Sequence, residues 1–175
     1  LLPVGTLEHR DDVEHRKKLA TSNWATSVLV SLCAKTSEQF VSRQAAGDIS
    51  KLDEDADLLL VRKFVLDHSL RAFKDALGSH ESLDARYSRL LALGDMFNRM
   101  MTGQAEGSGP SDKYRYSQQQ LGKLMYEKNF IGSLTSAIAE LDLNFPNAKR
   151  AVKYILRPLK WLTDLAVTLS QTSDL

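Results

Sequence analysis

The residues with most chemical reach are Cys33, the acidic run Asp53, Glu54, Asp55 and Asp57, four histidines, the glycines Gly103, Gly107 and Gly109, and five cations near the C-terminus. A cysteine becomes a nucleophile when a histidine or a positive environment lowers its pKa. Cys33 instead follows Val28, Leu29, Val30 and Leu32 on a helical pattern with no histidine close in sequence, and it reads as a buried structural thiol. Asp53, Asp55 and Asp57 imitate the opening of a calcium loop. Leu58 stands where the sharp turn requires glycine, and Phe64 where glutamate should close the site, so the calcium reading fails. His9, His15, His68 and His80 lack the i, i+4 spacing of a zinc helix, and no second cysteine joins them. Gly103, Gly107 and Gly109 have neither a preceding strand nor a following lysine–threonine pair, so they read as linker and not as a phosphate cradle. No catalytic, metal-binding or cofactor-binding residue is assigned, and no cofactor is expected.

The cations Lys149, Lys153, Arg157 and Lys160 recur three or four residues apart, with Arg150 beside them. On a helix this spacing makes a basic stripe about a quarter-turn from the apolar seam. It is either a solvated face or a grip for an acidic partner. Single-stranded nucleic acid would need interleaved rings, and only Tyr154 and Trp161 are near.

The elements carrying these residues all show helical periods. Ala148, Val152, Ile155, Leu159, Leu162, Ala166 and Leu169 alternate steps of four and three, which predicts a last helix of about six turns. Pro146 fits its first position. Pro158 removes the hydrogen bond to the Tyr154 carbonyl, so the pattern predicts either a kinked helix or two helices meeting at Arg157. Upstream, Asp11 to Lys18 reads as a short helix, Thr21, Ser22 and Asn23 as a break, and Trp24 to Cys33 as a second helix. Gly47, Asp48 and Ser50 mark a turn. The acidic run opens a helix ending near Leu77, whose apolar residues, Phe64 among them, are spread widely enough to predict burial on two sides. Gly78, Ser79 and His80 interrupt, and Leu83 to Met101 restarts the pattern. The stretch from about 102 to 112 reads as a flexible loop. Leu121 to Leu141 predicts one helix or a pair broken at Asn129. No period-two alternation is sustained, so the fold class is all-α, with about six to eight helices.

Composition agrees. The chain has 175 residues, 43% hydrophobic and 26% charged, enough for one globular core. A net charge of +1 gives no global field for nucleic acid or an anionic membrane. A single cysteine excludes an internal disulfide framework and fits the cytoplasm or nucleus. No apolar run has the length of a membrane span, and no membrane partner is expected. With no initiator methionine and no targeting signal, residues 1–175 read as one internal piece of a longer protein.

The run Asp142-Leu143-Asn144-Phe145-Pro146-Asn147-Ala148, followed by Ile155-Leu156-Arg157-Pro158-Leu159, resembles a segment of the giant HECT-type E3 ubiquitin ligases, the fungal trigger-of-mitosis and animal HECT-UBA-WWE class. About thirty residues carry the match; Glu14 to Leu19 is compatible with it but has no sharp motif. The resemblance implies an armadillo-like helical scaffold segment outside the catalytic HECT domain, nuclear and cytoplasmic, acting on protein substrates. Its partners would be other segments of the same ligase, with ubiquitin and the E2 engaged only through the parent protein. The ubiquitin-accepting cysteine of such ligases lies in a separate α/β lobe, so that role does not pass to Cys33. No self-similar repeat is visible, so the armadillo or HEAT-like stack rests on the resemblance and an irregular helical bundle stays open. The basic stripe, if it binds, could take an acidic substrate tail, the acidic segment that such ligases carry, or a nucleic-acid backbone. The rival reading is an independent helical adaptor that uses this stripe without any link to ubiquitin.

Overall fold

Steps of three and four between apolar residues become six helices in the computed structural model, which describes residues 5–34, 56–102, 112–146 and 148–173. They are α1 (Gly5–Cys33), α2 (Ala56–Leu77), α3 (Leu83–Thr102), α4 (Asp112–Glu127), α5 (Phe130–Glu140) and α6 (Ala148–Ser173). No strand occurs among the described residues. The expected turn at Gly47–Ser50 and the expected loop core, residues 103–111, lie outside them.

Helix α3 is the hub. Its principal neighbours are α1 and α2, α4, and above all α6, while α4 and α5 also pack on α6. The centre is aromatic: Phe97 of α3 lies 5.8 Å from Phe73 of α2 and meets Phe130 of α5 edge-on at 5.0 Å between ring centroids. Edge-to-face contact sets the positive ring edge against the negative face.

Two expectations for α1 and α2 are corrected. The break at Thr21–Asn23 is absent, because the Thr21 hydroxyl donates to the Lys17 carbonyl one turn back (2.9 Å) and so satisfies itself inside a continuous helix. Helix α2 is buried on one side only. Val65, Leu66, Leu70, Phe73, Ala76 and Leu77 are buried, whereas Leu60 and Phe64 are 68% and 61% exposed.

The break at Asn129 is present, and one residue makes it. Asn129 takes the left-handed conformation (φ 60°), which asparagine tolerates better than most residues. Its side-chain oxygen accepts from the Gly132 N–H at 3.3 Å, capping α5 as α4 ends.

Pro146 does not open the last helix. Residues 142–146 form turns, and α6 starts at Ala148, whose N–H donates to the Phe145 carbonyl (3.0 Å). Pro158 stays inside one continuous helix, so the alternative of two helices meeting at Arg157 is excluded. Packing explains the tolerance. Pro158 is buried, and α3 approaches through Gly94, where an added Cβ would stand 3.0 Å from the oxygen of the Tyr154 carbonyl that Pro158 deprives of its helical partner. A side chain at Gly94 would require the α6 backbone at Tyr154 to give way by a few tenths of an ångström.

Candidate interaction face on the last helix

The helix that buries Ala148, Ala151, Ile155, Leu162 and Leu165 against the core turns its cations outward. Lys149, Arg150, Lys153, Arg157 and Lys160 are all exposed, and Asp164 is the one carboxylate in α6. Among the described residues, none of the five has a carboxylate within ion-pair distance. Some cations elsewhere do: Lys18 pairs with Glu14, Arg89 with Glu81, Arg99 with Asp95 and Lys128 with Asp67, at 2.9, 2.9, 3.4 and 2.5 Å. Among the described residues, the positive charge of this face is uncompensated.

Part of it is also apolar. Lys149, Val152, Lys153, Leu156, Arg157 and Lys160 line a shallow groove of about 350 Å³. Leu156 is 46% exposed there, and Val152, expected in the buried seam, is half-buried at the boundary between core and groove. The Arg157 guanidinium stacks over the Tyr154 ring, 4.8 Å from its centroid, which orients the cation and covers that ring. The cations of this face are legible in their sequence spacing, whereas Val152 and Leu156, its apolar part, are not. Their signal was an i, i+4 pair at the edge of the seam, a row that core and surface share.

The other chemistry-bearing residues do not converge. Cys33 is 1% exposed, and burial pushes its thiol up to about 11, outweighing the opposite pull of Arg62. Its thiolate is scarce near neutral pH, which argues against a nucleophile. Because the raised value favours the protonated fold, the stabilisation is full below the unfolded thiol pKa, near 8.5–9, and is lost as pH rises towards about 11. Stability of the wild type should thus fall between pH 9 and 11 more steeply than that of Cys33→Ala, measured by urea titration at each pH. Equal slopes would show that the thiol is not desolvated.

His15, His68 and His80 are exposed, and His9 lies in the first turns of α1. His68 shares a hydrogen bond with the Phe64 carbonyl at 2.9 Å. Asp57 opens α2, while Asp53, Asp55, Gly103, Gly107 and Gly109 fall outside the described residues. Among the described residues, no group of three or more His, Cys, Asp or Glu side chains could hold a metal ion.

Similarity to known proteins fixes the family. The chain is 39% identical over 167 residues to the E3 ubiquitin-protein ligase TOM1-like of Neurospora crassa, a match covering 92% of the chain, and 37% identical over 174 residues to the E3 ubiquitin-protein ligase ptr1 of Schizosaccharomyces pombe, covering 99%. The chain belongs to the TOM1/ptr1 family of E3 ubiquitin-protein ligases. The E3 ubiquitin-protein ligase TOM1 of Saccharomyces cerevisiae matches more weakly, at 24% identity over 168 residues. The chain spans only 4% of the Neurospora protein and 5% of ptr1. No protein-family model and no solved structure matches it.

In this TOM1/ptr1 segment the run that carried the resemblance has a structural task. Residues 142–146 connect α5 to α6, and Tyr87 of α3 pins them: its hydroxyl accepts from the Asp142 N–H at 2.7 Å, and its ring meets Phe145 edge-on at 5.2 Å. The Asp142 side chain accepts from the Asn144 N–H at 3.0 Å and tightens the turn. The connection thus sets how α6 leaves the α3 surface.

Proposed function

We propose that this chain is a non-catalytic scaffold segment of a HECT-type member of the family, an armadillo-like layer whose packed helices fix the spacing between substrate-docking surfaces and a distant catalytic domain. The observation that carries the reading is the match to two named E3 ligases along nearly the whole chain, which is itself a small fraction of their length. The buried Cys33 thiol supports it, since a ubiquitin acceptor must be exposed and ionisable. So do the bare apolar residues at the α1–α2 end. Trp24, Val28 and Leu32 lie four apart on α1, 75%, 52% and 47% exposed, and adjoining helices of a longer chain would cover such a stripe.

The mechanism is geometric. Holding a substrate near the transfer site raises the effective concentration of its lysine without any contact with the reacting atoms. Protein substrates, engagement of ubiquitin and E2 through the parent protein, and work in nucleus and cytoplasm belong to the same proposal.

The test uses the full-length ligase. Leu162 is 1% exposed on the α6 side that faces the core, so Leu162→Ala should loosen the packing of α6. The variant is expected to load ubiquitin as a thioester at the wild-type rate yet modify substrate severalfold more slowly, and the 175-residue chain alone should acquire no ubiquitin from a charged E2. Ubiquitin on Cys33 of the isolated chain, or unchanged substrate modification by the variant despite a lowered melting temperature, would overturn the assignment.

A further inference from the structure

We infer that the exposed face of α6 is a docking surface for an acidic amphipathic helix. Two features of the face, charge and an apolar edge, select that occupant together. Lys149, Lys153, Arg157 and Lys160 run along about 16 Å of helix, three turns, with no carboxylate of the described residues paired to them. A surface that leaves this many cations uncompensated is complementary to a negative partner. Beside them, Val152 and Leu156 are one turn apart, and Leu156 is 46% exposed.

The groove lies between ridges of side chains on a single helix, the relief into which the ridges of a second helix fit. A partner helix with carboxylates on one side and leucines one turn apart on the other would satisfy the basic and apolar edges at once. Nucleic acid would satisfy only one of them. Phosphates could meet the cations, but Leu156 would gain nothing, and the Arg157 guanidinium already lies over the Tyr154 ring, the nearest platform on which a base could stack. Arg157 is held in place by that stacking, so it loses less freedom than a lysine when it pairs with a carboxylate. This inference stands apart from the ligase reading, because it needs only the α6 surface.

The test uses the 175-residue chain and a fluorescein-labelled, alanine-based helical peptide bearing four glutamates on one face and two leucines at i, i+4 on the adjoining face. Anisotropy at low salt should show saturable binding that weakens as salt rises. Lys153→Glu with Arg157→Glu should reduce affinity at least tenfold, and Leu156→Ala about fivefold. All three positions are exposed, so circular dichroism and melting temperature should stay close to wild type. Replacing the peptide's leucines by alanine should reproduce the Leu156→Ala loss. A single-stranded oligouridylate of similar charge provides the rival arm. Failure of the peptide to bind at low salt overturns the proposal, as does binding indifferent to Leu156→Ala, or an oligouridylate that binds more tightly than the peptide.

Discussion

Phe97→Ala is expected to lower the free energy of unfolding by about 3–5 kcal/mol, enough to threaten a domain of this size at ordinary temperature. Phe97 is fully buried, and its ring touches two elements at once, Phe73 on α2 at 5.8 Å and Phe130 on α5 at 5.0 Å. Truncation removes the transfer free energy of the ring and both aromatic contacts, and it leaves a cavity at the meeting point of three helices that cannot all move in to fill it. The matched control is Phe64→Ala on α2, where the ring is 61% exposed and lies against His68 at 4.1 Å between centroids. That change should cost under about 1 kcal/mol. Urea unfolding followed by circular dichroism gives both values. Comparable losses at the two positions would mean that the core is not organised around Phe97.

These two phenylalanines also show what periodicity can and cannot convey. A three- and four-step pattern fixes the existence of a helix, and it located α2, α3 and the α4–α5 break at Asn129, because glycine, asparagine and runs of polar residues change backbone preference locally. It does not say how wide a face is buried. Helix α2 has apolar residues over more than half its circumference, but its described neighbours cover only the Leu66–Phe73 side, so Phe64 and Leu60 were indistinguishable from core by type alone. The unbroken α1 is the opposite case. Thr21 carries a capping side chain, and only the observed bond to the Lys17 carbonyl shows that it was spent inside the helix. At the interaction face the cations were legible from spacing, whereas the role of Leu156 depended on which way α6 turned against α3.

Arg62→Ala should produce the second large loss, about 3–4 kcal/mol, at a residue whose charge disguised it in the sequence. Arg62 is 1% exposed and shares the α2 register of Leu66, Ser69 and Phe73, in steps of four, three and four, so its stem points inward with theirs. Its Nε–H donates to the carbonyl of Cys33 at 2.9 Å, and Cys33 is the last residue of α1, where carbonyls lack helical partners and the helix dipole is negative. Burial lowers the pKa of the guanidinium from its ordinary value, but an arginine stays charged, so α2 caps α1 with a buried cation. Truncation to alanine combines the lost packing of a long side chain, about 2 kcal/mol, with an orphaned buried carbonyl, about 1–2 kcal/mol. Arg62→Met separates the two, because it keeps most of the volume and removes the guanidinium that caps the Cys33 carbonyl. If capping matters as argued, Arg62→Met should cost about 1–2 kcal/mol, and hydrogen exchange should speed up selectively in the last turn of α1 while α3 and α6 stay protected. A methionine variant as stable as wild type, with α1 exchange unchanged, would show that desolvating the guanidinium cancels what its hydrogen bond contributes.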